Sequence, residues 1–114
     1  YKGVKGYIVD GGCRDVEFIK NLGFPVFCKY FNPSDVVCRW KITSLGEPIT
    51  IGGLEIRSGD YVLGDIDGVV IIPNDIAEDV IKETEEYINT ESQLRKDILS
   101  GVDPKEAYLK YRVF

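Results

Sequence analysis

The chain contains no histidine and no methionine. Without histidine there is no Ser-His-Asp or Cys-His catalysis, no imidazole zinc ligand and no phosphohistidine chemistry. Any metal must be held by carboxylates and water, which suits magnesium, manganese or calcium. A translated chain starts with methionine, yet this sequence opens at Tyr1 in what reads as folded sequence, so an N-terminal portion is expected ahead of it. The three cysteines, Cys13, Cys28 and Cys38, form no CxxC pair, which removes a zinc knuckle and a dithiol redox motif. Odd in number and widely spaced, they are expected to be reduced thiols in a cytoplasmic compartment. No apolar run approaches the ~20 residues of a membrane span, and the start lacks the basic-then-apolar plan of a signal peptide. Positive charge is also short: 14 Lys and Arg against 19 Asp and Glu leave −5, the wrong sign for non-specific nucleic-acid binding.

What is present suits one globular domain over residues 1–114, since this length is too short for two comfortable cores. Residues 6–10 (GYIVD) read as a short buried strand and 15–22 (DVEFIKNL) as a helix, with Asp15 as N-cap and Gly23 as stop. Residues 24–31 (FPVFCKYF) read as a second strand with Pro25 at its start. That strand–helix–strand order allows parallel pairing. Strand-like runs follow at 36–42, 47–56 and 60–73, separated by turn residues. IGGL reads as a hairpin turn, RSGD as the next turn, and GVVIIP as a central strand. From Asn74 the period becomes helical, with Asn74 or Asp75 as cap and an apolar stripe through Ala77, Ile81, Thr84, Ile88, Leu94 and Ile98 to a stop at Gly101. DPKE at 103–106 opens one more helix, with Asp103 as cap, Pro104 at the first position, and Ala107, Tyr108 and Tyr111 as a docking face. The order predicts an α/β protein of layered β/β/α type with C-terminal helices.

Three features bear on chemistry. DGGCRD at 10–15 places glycines, an arginine and an aspartate between a strand and a helix. It has two readings. In one, Gly11 and Gly12 make a turn, Asp15 caps the helix and Arg14 is solvated. In the other, Gly11 and Gly12 admit an anion to the backbone at a helix N-terminus, Arg14 clamps a carboxylate, and Asp15 holds a hard cation. The second feature is Glu91, which falls on the apolar stripe and needs a partner there or a route to water. The third is the trio Asp60, Asp65 and Asp67, whose spacing does not match a calcium loop and which read as turn residues. Arg39-Trp40 has two readings, a pair that stacks or lines a pocket and, in preference, a tryptophan that belongs to a core or interface.

Three stretches carry a resemblance: GYIVDGGCRDVEFIKNLGFPVFCKYFNPSD, IGGLEIRSGDYVLGDIDGVVIIP and ESQLRKDILSGVDPKEAYLKY. Together they resemble the RraA-like family. That family includes magnesium-dependent 4-hydroxy-4-methyl-2-oxoglutarate and 4-carboxy-4-hydroxy-2-oxoadipate aldolases with oxaloacetate decarboxylase activity. It also includes a non-enzymatic regulator of ribonuclease E activity. The combination of GGxRD, FPVF and GDxDGVVIIP is specific for the family, though not for one activity. The resemblance implies a swivelling-domain fold like the phosphohistidine domains, assembled as trimers or hexamers, with no membrane and no direct nucleic-acid partner. It implies that Arg14 holds a 2-oxo acid and stabilises an enolate, and that Asp15 coordinates Mg²⁺ or Mn²⁺ alongside water. It implies that Gly11 and Gly12 admit the substrate and that Glu91 reaches a neighbouring subunit's site. Aldolase members often carry an acidic residue three places after the metal aspartate. Here Phe18 stands at that place, with Glu17 beside it. The family also has an upstream segment that contributes to the site. Two functions follow as expectations: a metal-dependent lyase acting on small 2-oxo diacids, and a protein-binding regulator of ribonuclease activity. A structural domain of a larger polypeptide is the third.

Overall fold

The computed structural model describes residues 2–113 and separates them into two units, one up to Pro73 and one from Asn74. The first unit opens with strand β1 (Tyr7–Cys13), helix α1 (Val16–Leu22) and strand β2 (Val26–Phe31). The two strands pair in parallel, Tyr7 opposite Val26 and Ile8 opposite Phe27, with α1 as the crossover that parallel pairing requires. Gly23 ends α1 in the left-handed conformation (φ 63°), its N–H donating to the Lys20 carbonyl at 3.0 Å. Pro25 stays outside the ladder, and its carbonyl accepts the Tyr7 N–H at 2.9 Å.

β1 runs three residues past its expected end. Gly11 and Gly12 are strand residues, so the expected glycine turn is absent. The pairing passes from Val9 opposite Cys28 to Gly12 opposite Tyr30, three steps on β1 against two on β2. This is a bulge with one extra residue on β1. Asp10 lies in the bulge and forms an ion pair with Lys29 of β2. Gly12 is glycine for packing: a Cβ there would lie 2.7 Å from Cε2 of Tyr30. Gly11 has no such neighbour.

After β2 the chain makes turns where residues 36–42 read as a strand. The Asp35 carboxylate accepts the Val37 N–H at 3.0 Å, and Arg39 N–H donates to the Val36 carbonyl at 3.0 Å. Cys38 adopts φ 59° in that turn. These local bonds take two of the donors that a ladder would use and fix a turn at its start. Trp40 sits in the same connection and is exposed, so it is not a core residue of this unit.

Two hairpins complete the first unit. β3 (Ile49–Ile51) and β4 (Leu54–Ile56) are antiparallel about Gly52-Gly53, both at positive φ, as a two-residue hairpin loop demands. The RSGD turn follows as expected, with Asp60 N–H donating to the Arg57 carbonyl at 3.1 Å. β5 (Tyr61–Gly64) and β6 (Val69–Ile72) pair antiparallel around a turn closed by Asp65, whose Oδ1 accepts the N–H groups of Asp67 and Gly68 at 2.8 and 3.2 Å. β6 pairs with β5 alone among the described residues, so GVVIIP is not a central strand. Its apolar character is spent on half-buried packing of Val69, Ile71 and Ile72. Gly64 brings β5 against β2, where an added Cβ would meet the Phe27 ring at 2.6 Å. The strands form three two-stranded sheets. The architecture is mixed α/β with short strands and C-terminal helices.

The second unit starts with a 3-10 turn over Asn74–Ile76, then α2 (Ala77–Leu99) and α3 (Pro104–Tyr111). The N-cap position of α2 is Ile76, not Asn74 or Asp75, because the 3-10 turn takes those residues first. α3 begins as the sequence predicts: the Asp103 carboxylate accepts Lys105 N–H at 2.9 Å and Glu106 N–H at 3.3 Å, with Pro104 in the first turn. α3 docks on α2 through Ala107, which is fully buried, and Leu94 is buried as well. Lys110 Nζ and Tyr111 Oη both donate to Asp97 Oδ2, at 2.8 and 3.0 Å, and pin the end of α3 to α2. Ile81, Tyr87 and Ile88 on the α2 stripe stay exposed.

Candidate functional site

Arg14 and Asp15 join the end of β1 to the start of α1. Asp15 takes φ 59° and ψ 33°, a left-handed backbone that costs a non-glycine residue about 1 kcal/mol and that aspartate tolerates better than most. It occupies the N-cap position, and its carbonyl accepts the Ile19 N–H at 3.0 Å. Its carboxylate, however, accepts no hydrogen bond from the first turn. The expected side-chain cap is therefore not made. Capping needs an extended backbone at that position, and the left-handed one carries the carboxylate away from the free N–H groups. The side chain is 67 % exposed, and Oδ2 makes an ion-pair contact of 3.4 Å with Arg14 Nε. α1 has only seven residues, so its dipole adds little, and anion attraction here rests on side chains.

Arg14 is held from a second direction. Its Nη1 lies 2.9 Å from Asp35 Oδ2. Asp35 is itself fixed, because its Oδ1 accepts the Val37 N–H. That backbone bond, and next the Arg14 hydrogen bond, hold the Asp35 carboxyl below its ordinary pKa. The Asp35 bond, then the charges of Asp35 and Asp15, push Arg14 up and keep it cationic. Asp35 was hidden in the sequence by the strand-like reading of the residues after it. The signal that could have found it is the turn chemistry of Asn32-Pro33-Ser34-Asp35: the Asn32 side chain accepts the Ser34 N–H at 2.9 Å just as Asp35 accepts Val37.

The two neighbours line different hollows although their side chains touch. Arg14 lines an open depression of about 240 Å³ with Gly12, Tyr30, Asn32, Asp35 and Arg39. Asp15 lines another, of about 500 Å³, with Glu17, Phe18 and Asn21. Gly12 thus borders the Arg14 depression and Gly11 does not. Phe18, three places after Asp15, is 66 % exposed and lines the same hollow. Cys13, next to Arg14, has its thiol pushed up by burial and by neighbouring Cys28, which keeps it a poor nucleophile.

Glu91 belongs to the second unit. It receives a partner from its own helix: Arg95 Nη2 donates to Oε1 at 2.8 Å, four residues on. The two line a depression on α2 with Ile88, Ser92, Lys96 and Leu99. Asp60 and Asp65 serve their turns, as their spacing suggested.

A divalent ion fits Asp15 as a single-carboxylate site. The carboxylate is exposed and released from capping, and hard cations such as Mg²⁺ keep several waters on one or two protein oxygens. Among the described residues no three Cys, Asp or Glu side chains converge as a fuller metal site. No helix among them is long and apolar enough to cross a membrane.

The chain is 34 % identical over 111 residues to a protein of Halalkalibacterium halodurans named "Putative 4-hydroxy-4-methyl-2-oxoglutarate aldolase", covering 95 % of this chain and 51 % of that one. The crystal structure of an uncharacterized protein from Pseudomonas syringae pv. tomato superposes with a TM-score of 0.87 at 28 % identity, over 92 % of this chain and 52 % of that one. A second solved structure, described as one of "novel cellulases from microbes associated with the gut ecosystem", gives a TM-score of 0.76 at 42 % identity, over 81 % of this chain and 41 % of that one. The chain spans about half the length of the curated relatives it matches first. Residues 1–71, which take in β1 to the middle of β6 and both Arg14 and Asp15, match the RraA-like family (Aldolase/RraA), and the chain belongs to that family.

Proposed function

We propose that this chain carries the charge-stabilising half of a divalent-metal-dependent lyase that cleaves small 2-oxo diacids to pyruvate. The substrates are of the 4-hydroxy-4-methyl-2-oxoglutarate type, cleaved by retro-aldol reaction, and oxaloacetate, cleaved by decarboxylation. The observation that carries the reading is the Arg14–Asp15 junction. A guanidinium oriented by Asp35 stands beside a carboxylate that its own helix does not use. Family membership and the aldolase name of a relative support it.

In the retro-aldol reaction the 4-hydroxyl passes its proton to water as the C3–C4 bond breaks and a second 2-oxo acid leaves, and in decarboxylation CO2 leaves. In both, the electron pair of the broken bond moves onto the 2-oxo oxygen, giving pyruvate enolate, which is then protonated on carbon. Arg14 binds the 2-oxo acid and donates hydrogen bonds to the growing negative charge. Such donors accelerate a step when they are already oriented before charge appears. Asp35 supplies that orientation from outside the reacting atoms. Asp15 would hold Mg²⁺ or Mn²⁺, which when bound withdraws charge from the 2-oxo group. No imidazole is required in this scheme. The layered β/β/α arrangement, a trimeric or hexameric assembly, a cytoplasmic setting for the three free thiols, and a role for Glu91 at a neighbouring subunit's site belong to the same reading.

The deciding experiment is pyruvate release from oxaloacetate and from 4-hydroxy-4-methyl-2-oxoglutarate by the complete natural protein, with magnesium and with chelator. Arg14→Gln and Asp15→Gly should each reduce it to the background rate. Asp15→Gly should also abolish Mn²⁺ binding measured by electron paramagnetic resonance. A chelator-insensitive rate equal to that without protein sinks the enzyme reading.

One observation favours a second reading. Phe18 is exposed where aldolase relatives carry an acid, and an apolar side chain beside a metal carboxylate suits a protein partner better than a substrate. A non-catalytic regulator of a ribonuclease would use that surface. Pull-down with a ribonuclease E-type partner, lost in Phe18→Ser, tests it.

A further inference from the structure

Arg14 alone is a weak attractor for a substrate anion. Its single positive charge already meets two carboxylates, Asp35 at 2.9 Å and Asp15 at 3.4 Å. Within the depression itself Arg14 and Asp35 cancel in charge. The depression nevertheless contains another cation. Arg39 lines it, and among the described residues no carboxylate partners Arg39. The positive charge left over in the hollow is therefore that of Arg39.

The placement is built into the backbone. One turn supplies both the partner of Arg14 and the second guanidinium: Asp35 accepts the Val37 N–H, and the Arg39 N–H closes back onto the Val36 carbonyl at 3.0 Å. Cys38, immediately before Arg39, adopts φ 59°, a conformation that a non-glycine residue keeps only where its surroundings fix it. Arg39 is four residues from Asp35, on the turn that orients Arg14.

We infer that Arg39 is the specificity-determining residue of this site: it binds the carboxylate of a 2-oxo diacid remote from the reacting carbon, while Arg14 holds the oxo-acid end. The inference rests on the lyase reading for the identity of the substrate, but it concerns binding and can be tested apart from turnover. A guanidinium suits the role because its planar fork matches a carboxylate with two parallel hydrogen bonds. The two ends of a short diacid then meet the two arginines of one hollow of about 240 Å³.

The test is equilibrium binding by calorimetry to the complete natural protein in magnesium, with 2-oxoglutarate as the diacid probe and pyruvate as the monoacid probe. The natural protein should bind 2-oxoglutarate more tightly. Arg39→Gln should weaken 2-oxoglutarate by about tenfold, the low end for a hydrogen bond to a charged group, and leave pyruvate within about twofold. Arg39→Lys, which keeps the charge, should retain a preference for the diacid. Equal weakening of both probes in Arg39→Gln, no weakening of either, or no preference in the natural protein overturns the inference. If the preference and its loss are seen but oxaloacetate yields no pyruvate, the lyase reading fails and the role of Arg39 in diacid binding stands.

Discussion

Arg14 Nη1 lies 2.9 Å from Asp35 Oδ2, a contact across twenty-one residues that ties the end of the first strand to the turn after the second. The arginine thereby gains a fixed direction. An exposed ion pair adds little to stability, roughly 0–1 kcal/mol, so its value lies in geometry.

Asp35→Ala should therefore change catalysis more than stability. Thermal denaturation is expected to shift little, while kcat for pyruvate release falls by about tenfold, since loss of orientation in a charge-stabilising donor costs rate. Asp35→Asn keeps the acceptor for Val37 and should recover part of the loss. Equal falls in melting temperature and kcat would assign Asp35 a purely structural role.

Asp15→Gly separates backbone from carboxylate. Glycine accepts φ 59° without strain, so folding stability should stay within about 1 kcal/mol of the natural protein. Metal binding and pyruvate release should both disappear. Asp15→Val is the contrast: a branched side chain in a left-handed backbone should destabilise by about 1–2 kcal/mol. Urea denaturation of both variants checks the pair.

Gly12→Ala should destabilise the first unit by about 1–3 kcal/mol, the usual cost of forcing an extra carbon into packed surroundings. The clash is with Tyr30, so the Gly12→Ala/Tyr30→Ala double variant should be less damaged than the sum of the two single changes. Gly11→Ala, with no close neighbour, should be near neutral. Additivity in the double-mutant cycle would refute the packing explanation.

The second unit should respond to acid and to strong alkali through one cluster. Lys110, and next Tyr111, hold the Asp97 carboxyl below its ordinary 3.8, so its stabilising effect is present above that value and is lost as pH falls through the lower folded value. Asp97, and next Tyr111, hold Lys110 above its ordinary 10.5, so its contribution is present below 10.5 and is lost as pH rises through the higher folded value. Between those limits the docking of α3 should be pH-independent. Nuclear magnetic resonance of the Ala107 methyl group against pH reads this directly, and Tyr111→Phe should raise the acid midpoint.

Local signals in the sequence were sufficient where a residue's own side chain or backbone preference decides the outcome. Gly52-Gly53 marks its hairpin, Asp103-Pro104 its helix start, and Gly23 its helix stop. Parallel pairing of the first two strands followed from order and length. What failed was reading composition as ladder. Residues 36–42 are rich in strand formers, but Asp35 and the Val36–Arg39 turn take their donors. GVVIIP is apolar enough for a central strand, yet β6 has one strand partner among the described residues. The conformation of DGGCRD was not legible, because the glycines belong to the strand and the left-handed turn falls on Asp15 itself. Arg39 was legible as one of a pair that stacks or lines a pocket, which it does, but its sharing of that hollow with Arg14, and the role of Asp35, come only from the turn. Glu91 looked anomalous on an apolar stripe, but Arg95 one turn later meets it.

The bulge at Asp10-Gly11 has a counting consequence. Side chains along a strand alternate sides, so one surplus residue inverts the alternation for everything downstream until the strand ends. Within the strand the surplus residue thus decides which side of the ladder Gly12 and Cys13 face, and it sets Gly12 against Tyr30. A chain shortened by one residue at Gly11 would turn the Gly12 position to the other side of the ladder, away from the Tyr30 ring it now meets.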